Sequence, residues 1–336
     1  MRSFILIPFL MTCNLGLGKD IHQIPQENCR IVVFGDIHGD FNQWRFALQE
    51  LDIIDDKLNW IADKTILVQA GDQTDRGIAD GERRALDLLA SLKKQAASKL
   101  DCSGVHAVLG NHEIFNLKYY FRDVTKPEGL AAFSDFSSFE INTSRELAKL
   151  AFGSKFPEDY DIYQVRAKGR MFAFSPEGPY GRILKDFPLA IMVGKNIIVH
   201  GGLRKGFINF GIERANRNIK DWISGVHSSE VSETLDLLNS DDSPVWDRSF
   251  GKDEDQLLCE ELKSSLARLG ASRMIKGHDV QRLGVNSICD GMAWRVDIGL
   301  NQVAYGDYKQ YSQKWQALQI DADDNVKVIY SKYSSH

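Results

Sequence analysis

The 336-residue chain has no excess of basic charge: 41 Lys and Arg stand against 46 Asp and Glu, a net charge of −5. A general positive field for nucleic acid or an acidic membrane is thereby excluded, and any anionic substrate must be drawn by local positive groups. Beyond the first twenty residues no apolar run approaches membrane-spanning length. Cysteine is scarce, with five in all, so disulfides are not needed as the framework of a chain this long. Cys29 and Cys102 each lie shortly before a predicted strand and could bridge neighbouring strand starts. Whether Cys259 and Cys289 pair is left open. No domain-sized repeat and no low-complexity linker divides the chain.

The N-terminus, "MRSFILIPFLMTCNLGLGKD", places one Arg before an apolar run and the small Gly16 and Gly18 before a possible cut at Lys19. This is a secretory signal pattern over residues 1–18. It predicts entry into the secretory pathway (endoplasmic reticulum, endomembrane or secreted), a mature chain with no membrane span, and one domain over 25–336. Asn142-Thr143-Ser144 is a glycosylation acceptor that matters only on that route.

One pattern recurs five times. "RIVVFGDIHG" is an apolar run ending in Asp36 and His38, followed by Trp44, Ala47, Leu48 and Leu51 at helical spacing. "KTILVQAGDQTDRG" ends at Asp72, Asp75 and Arg76, and residues 81–100 read as a second amphipathic helix with Leu86, Leu89 and Leu92 on one face. "VHAVLGNHE" delivers Asn111 and His112, "NIIVHGGL" delivers His200, and "RMIKGHDV" delivers His278. Alternating strands and helices imply an α/β fold with a parallel layer, where ligands collect beyond the carboxyl ends of strands. A Gly-Asp after one strand is usually a turn and nothing more. Five strand ends all carrying ligand-type side chains are not explained that way. Between Phe115 and Asp186 the rhythm is lost, which predicts a partly helical insertion near the site, with an amphipathic piece at "SRELAKLAF".

The side chains suit a binuclear metal site. Asp36 and His38, two residues apart, can serve one ion, Asp72 can bridge two, and Asn111, His200 and His278 can complete the second. Oxygen and nitrogen donors without thiolate suit Mn²⁺, Fe or Zn²⁺. Two dications outweigh Asp36, Asp72 and a bridging hydroxide, which leaves net positive charge for a phosphate. Arg76 can hold that phosphate in a bidentate fork, and His112, beside the ligand Asn111, is free to act as general acid with Asp75 to orient it.

"GDIHG", "GDQTDRG", "GNHE", "HGG" and "GH", in this order, resemble the phosphoprotein phosphatase (PPP) family of binuclear metallophosphoesterases over about Ile31 to Gly299. The resemblance implies an α/β/β/α sandwich of two mixed sheets flanked by helices, with the insertion at about 115–186. It implies Asp36, His38 and Asp72 on one metal, and Asp72, Asn111, His200 and His278 on the other. His112 becomes the proton donor and Asp75 its partner. Arg248, in "SPVWDRSFG", becomes a second phosphate-binding residue beside Arg76, with Asn111 near the same group. The implied reaction is hydrolysis of a phosphoprotein by a metal-bridging hydroxide. Gln73 and Thr74 depart from the usual Tyr-Val type pair, and no "SAPNY"-like stretch is present. "GPYGRILKDFPLAIMVGKNIIVHGGL" is similar to the Shewanella-like branch, which implies phosphotyrosine as well as phosphoserine and phosphothreonine, and indifference to okadaic-type inhibitors.

Three rivals compete with this reading. The same metal site could split dinucleoside polyphosphates such as diadenosine tetraphosphate, or the fold could serve as a non-catalytic scaffold. "CDGMAWR", Cys289 to Arg295, has the spacing of a thiolate phosphatase, but bulky Met292 and Trp294 sit where a phosphate loop would need free N–H groups.

Overall fold

The computed structural model describes residues 21, 23–125, 128–136, 160–305 and 314–333. The signal segment 1–18, the Asn142 acceptor and the "SRELAKLAF" piece lie outside them.

The strands are β1 (Gln23–Ile24), β2 (Arg30–Phe34), β3 (Thr65–Gln69), β4 (Gly104–Ala107), β5 (Ala190–Val193), β6 (Asn196–Val199), β7 (Arg273–Lys276), β8 (Asn286–Ile288), β9 (Ala293–Arg295), β10 (Gln316–Ile320) and β11 (Val326–Tyr330). One sheet has the order β11-β10-β2-β3-β4 and the other β1-β5-β6-β7-β9-β8. In the first, β2, β3 and β4 are parallel, with Ile31 opposite Ile66, and β10 is antiparallel to β2. In the second, β6 is parallel to β7 and antiparallel to β5. Both sheets are therefore mixed, as expected.

The run Ile31, Val32, Val33 and its neighbour Ile66, Leu67, Val68 are buried without alternation, which marks strands covered on both faces. Helix α1 (Phe41–Glu50) packs Phe41, Trp44, Ala47 and Leu48 inward, and Asp40 caps it by accepting from the Gln43 N–H at 3.0 Å. Leu51 is only half-buried, because α1 ends there. Helix α2 (Gly81–Ala97) buries Leu86, Leu89 and Leu92, the face the amphipathic pattern predicts, and ends three residues before the expected 100. One continuous apolar core joins these helices to both sheets.

In the segment between Phe115 and Asp186, α3 (Asn111–Leu117) is followed by α4 (Glu128–Ala131), α5 (Tyr160–Ala173) and α6 (Pro179–Leu184). Tyr119, Phe121, Val124, Leu130, Ala167 and Met171 form a small apolar cluster of their own there.

Two disulfides close the fold, Cys29–Cys102 and Cys259–Cys289, with Cα separations of 6.0 and 5.2 Å. The first joins the starts of β2 and β4, which flank β3. The expected pairing of neighbouring strands is thus corrected: the bridge steps over one strand.

Candidate metal centre

Three of the five ligand-bearing strand ends come from one sheet (β2, β3, β4) and two from the other (β6, β7), so the site lies where the two sheets meet. Its turns are tight. His38, Asp72, Asp75, Arg76 and His278 have φ of 46°, 55°, 64°, 58° and 72°, a left-handed backbone that costs a non-glycine residue roughly 1–2 kcal/mol. Such outliers cluster where surrounding contacts over-determine them. At Asp72 that contact comes from Glu113, which the sequence reading did not single out. Its fully buried carboxylate accepts from the N–H groups of Asp72, Gln73, Thr74 and Gly110 at 2.8–3.0 Å and from the Thr74 hydroxyl at 2.9 Å. One side chain thereby ties the β3 loop to the β4 loop. Its only signal in the sequence is the last letter of "GNHE". At Gly110 a Cβ would lie 2.1 Å from Asp72 Oδ1, so no other residue fits that approach.

The expected ligands converge. Asp72 Oδ2 lies 3.2 Å from His200 Nε2 and 3.7 Å from His38 Nε2. Asn111 Oδ1 lies 3.0 Å from His200 Nε2, and Asp36 lies 3.9 Å from both His38 Nε2 and His200 Nδ1. His38 Nδ1 faces the Thr74 carbonyl at 3.0 Å and His200 Nδ1 the Ala70 carbonyl at 2.8 Å. A carbonyl only accepts, so each Nδ1 carries the proton and each Nε2 lone pair faces the site. The His278 ring packs on His200 at 4.9 Å, and its buried Nε2 has no hydrogen-bond partner.

At this site, among the described residues, two sets of donors have ligand atoms within 4.8 Å of one another: His38, Asp72 and His112, and Asp72, His200 and His278. Asp72 belongs to both, the place expected of a bridging ligand. His112 joins the first set, but its Nδ1 lies 2.7 Å from Asp75 Oδ2 and its Nε2 is 3.8 Å from Asp72 Oδ2. Asp36, whose oxygens accept from the His278 N–H at 3.1 and 3.3 Å, falls in neither of these sets.

Electrostatics test whether this set suits metal. Burial, then the charges of Asp297 and Asp72, push the Asp36 carboxyl well above the usual carboxylate range. Burial also pushes Asp297 up to about 6. Burial, then the His112 charge, push His38 down to about 3, and burial, then His200, push His278 down as well. Crowded acids and neutral imidazoles around an unpartnered Nε2 form a set that a divalent cation relieves. The donors fit the ion.

The two arginines flank the donors. Arg76 Nη1 lies 3.4 Å from His38 Nε2, with its guanidinium 5.5 Å from the Tyr305 ring. Arg248, about half exposed, donates to Asp279 Oδ1 at 2.7 Å and to the His278 carbonyl at 3.1 Å. Burial alone would lower the pKa of His112, but the Asp72 charge and the Asp75 hydrogen bond outweigh it and bring it up to about 9. Cys289 is spent in its disulfide and β9 follows it, so the thiolate phosphatase reading is overturned.

Comparison with known proteins gives concordant results. A family model described as calcineurin-like phosphoesterase matches residues 29–282. Shewanella-like protein phosphatase 2 of Arabidopsis thaliana is 30% identical over 317 residues, covering 90% of this chain and 78% of its own. The crystal structure of a cold-active protein tyrosine phosphatase from a psychrophilic Shewanella species superposes with a TM-score of 0.66 at 18% identity, covering 92% of this chain and 83% of that one. A serine/threonine phosphatase of Saccharomyces cerevisiae gives 0.52 at 13% identity, with coverage of 94% and 85%.

Proposed function

The chain belongs to the calcineurin-like phosphoesterase family, and from that membership we propose that it is a metal-dependent phosphoprotein phosphatase loaded with two divalent ions, Mn²⁺ foremost. The single observation that carries the reading is Asp72, shared between two donor sets, with the His112–Asp75 pair beside it. Asp36, His38 and Asp72 would hold one ion, and Asp72, Asn111, His200 and His278 the other. When bound, such ions act as Lewis acids that lower the pKa of water and offset charge on a phosphoryl group.

The chain's own residues do the rest. Arg76, beside His38, and Arg248, beside His278, hold the phosphoryl oxygens with planar guanidinium forks. His112 keeps a proton on Nε2 for the departing oxygen, because Asp75 accepts from Nδ1 and fixes the ring. A phenoxide leaves with less help than a serine or threonine alkoxide, so His112 matters most for alkyl esters. The rim of the site carries Phe115, Trp246 and Tyr305, whose rings lie 5.7, 5.6 and 5.8 Å from those of His112, His278 and His38. These aromatic faces support phosphotyrosine as a substrate beside phosphoserine and phosphothreonine. The two disulfides support the secretory compartment proposed from the N-terminal segment.

The test is a panel of phosphotyrosyl, phosphoseryl and phosphothreonyl peptides with diadenosine tetraphosphate, run with Mn²⁺ and with chelator. Phosphate release from peptides only in the presence of metal is expected. Symmetrical splitting of diadenosine tetraphosphate with inert peptides would overturn the substrate class.

A further inference from the structure

Arg170, on α5, is fully buried, yet its charge meets no solvent and no site ligand directly. Nε donates to Asn116 Oδ1 at 2.7 Å and Nη1 to the Gly129 carbonyl at 3.0 Å. Nη2 donates to Asp75 Oδ1 at 3.0 Å and to Glu82 Oε2 at 2.5 Å. The guanidinium also lies 5.0 and 5.3 Å from the Phe133 and Phe174 rings. The four acceptors come from α3, α4, the β3 loop and the start of α2. Desolvating a guanidinium this thoroughly is costly unless nearly every N–H is matched, and here four bonds and three rings, that of Phe121 at 5.6 Å included, match it.

The choice of Asp75 oxygen is informative. Oδ2 faces His112 Nδ1 at 2.7 Å, while Oδ1 accepts from Arg170 and, at 2.9 Å, from Asn116 Nδ2. Asn116 in turn holds Arg170. The carboxylate is thus clamped from behind by two donors that also grip each other, so it cannot rotate away from the imidazole. Without Arg170, Asp75 would keep His112 and Asn116 but lose one of the two donors on Oδ1, and buried Glu82 would lose its cationic partner.

We propose that Arg170 is a positioning residue that locks the Asp75–His112 pair from the inserted helix, so that this segment sets how well His112 delivers its proton. The inference rests on the phosphatase reading. It assigns α5 a role in catalysis without contact to substrate.

The discriminating readout is leaving-group dependence. A general acid matters for a poor leaving group and hardly at all for a good one, whereas loss of folded protein lowers both rates together. Wild-type, Arg170→Gln and Arg170→Lys proteins, matched for metal content, are assayed on phenyl phosphate and 2,4-dinitrophenyl phosphate. Arg170→Gln is expected to lower kcat on phenyl phosphate at least ~10-fold more than on the dinitrophenyl ester, with partial recovery in Arg170→Lys. Asn116→Ala, a milder change in the same clamp, should show the same bias more weakly and serves if Arg170→Gln does not fold. In the metal-free protein, proton NMR of the His112 Nδ1–H should show faster solvent exchange in each variant. Equal loss on both esters with unchanged exchange overturns the inference. A folded, metal-loaded wild type inert on both esters overturns the phosphatase reading instead.

Discussion

Replacing Glu113 with Gln probes the joint between the β3 and β4 loops, which carry the candidate ligands Asp72 and Asn111. The carboxylate accepts five hydrogen bonds: Oε1 from the Gln73 and Thr74 N–H groups and the Thr74 hydroxyl, Oε2 from the Asp72 and Gly110 N–H groups. An amide keeps one acceptor oxygen. The less damaging rotamer leaves that oxygen on the threefold side and turns –NH₂ towards the Asp72 and Gly110 N–H groups. Two buried donors then lose their partner, at about 1–3 kcal/mol each, or about 2–6 kcal/mol together. Burial, then the Asp72 charge, push the Glu113 pKa up, so removing the charge recovers part of this and favours the lower half of that range. Set against a typical total of about 5–15 kcal/mol, the loss is large. Urea unfolding of the metal-free, disulfide-intact protein should show a lower midpoint at unchanged slope. A shift under about 1 kcal/mol would refute the reasoning, because a carboxyl already protonated in the fold would not miss its charge.

Other outcomes follow from the same contacts. His112→Asn should cut turnover of alkyl phosphates by about 10²-fold or more while sparing 2,4-dinitrophenyl phosphate; equal loss on both removes it as the acid. His112, held up to about 9 against an unfolded value near 6.5, stabilises the metal-free fold in its charged form. That stability is complete below about pH 6.5 and lost as pH rises through about 9. Urea midpoints measured across that window should fall in the wild type and stay flatter in His112→Asn, and parallel profiles would count against the pair. Removing the Cys29–Cys102 bridge, which closes a separation of 73 residues, should cost about 4 kcal/mol by chain entropy, read from urea midpoints of a Cys29→Ser, Cys102→Ser double variant. No change would show that the unfolded chain is not constrained by it.

The candidate ligands were legible because each follows an apolar strand and sits among glycines, a local pattern. Asp36, His38, Asp72, Asn111, His200 and His278 needed no knowledge of which strands pair. What stayed hidden depends on distant contacts. Glu113 and Arg170 act through partners up to 41 and 95 positions away; Glu113 stands in a strand-end motif but bonds backbone N–H groups there, and Arg170 lies on a helix far from any such motif. Asp297 is a buried acid beside Asp36, yet in sequence it is one more residue of "WRVDIG". The division of the five strand ends between two sheets was likewise invisible, because period and composition are the same for strands of either sheet. Stepping over β3, the Cys29–Cys102 bridge is a consequence of strand order, which local pattern does not contain.

The count of bound ions tests the account most directly. Elemental analysis of folded wild-type protein dialysed against excess Mn²⁺ should give two ions per chain, and Asp72→Asn should lower both that number and phosphate release from a phosphopeptide. One ion or fewer in the wild type, or undiminished hydrolysis after Asp72→Asn or after exhaustive chelation, would contradict it.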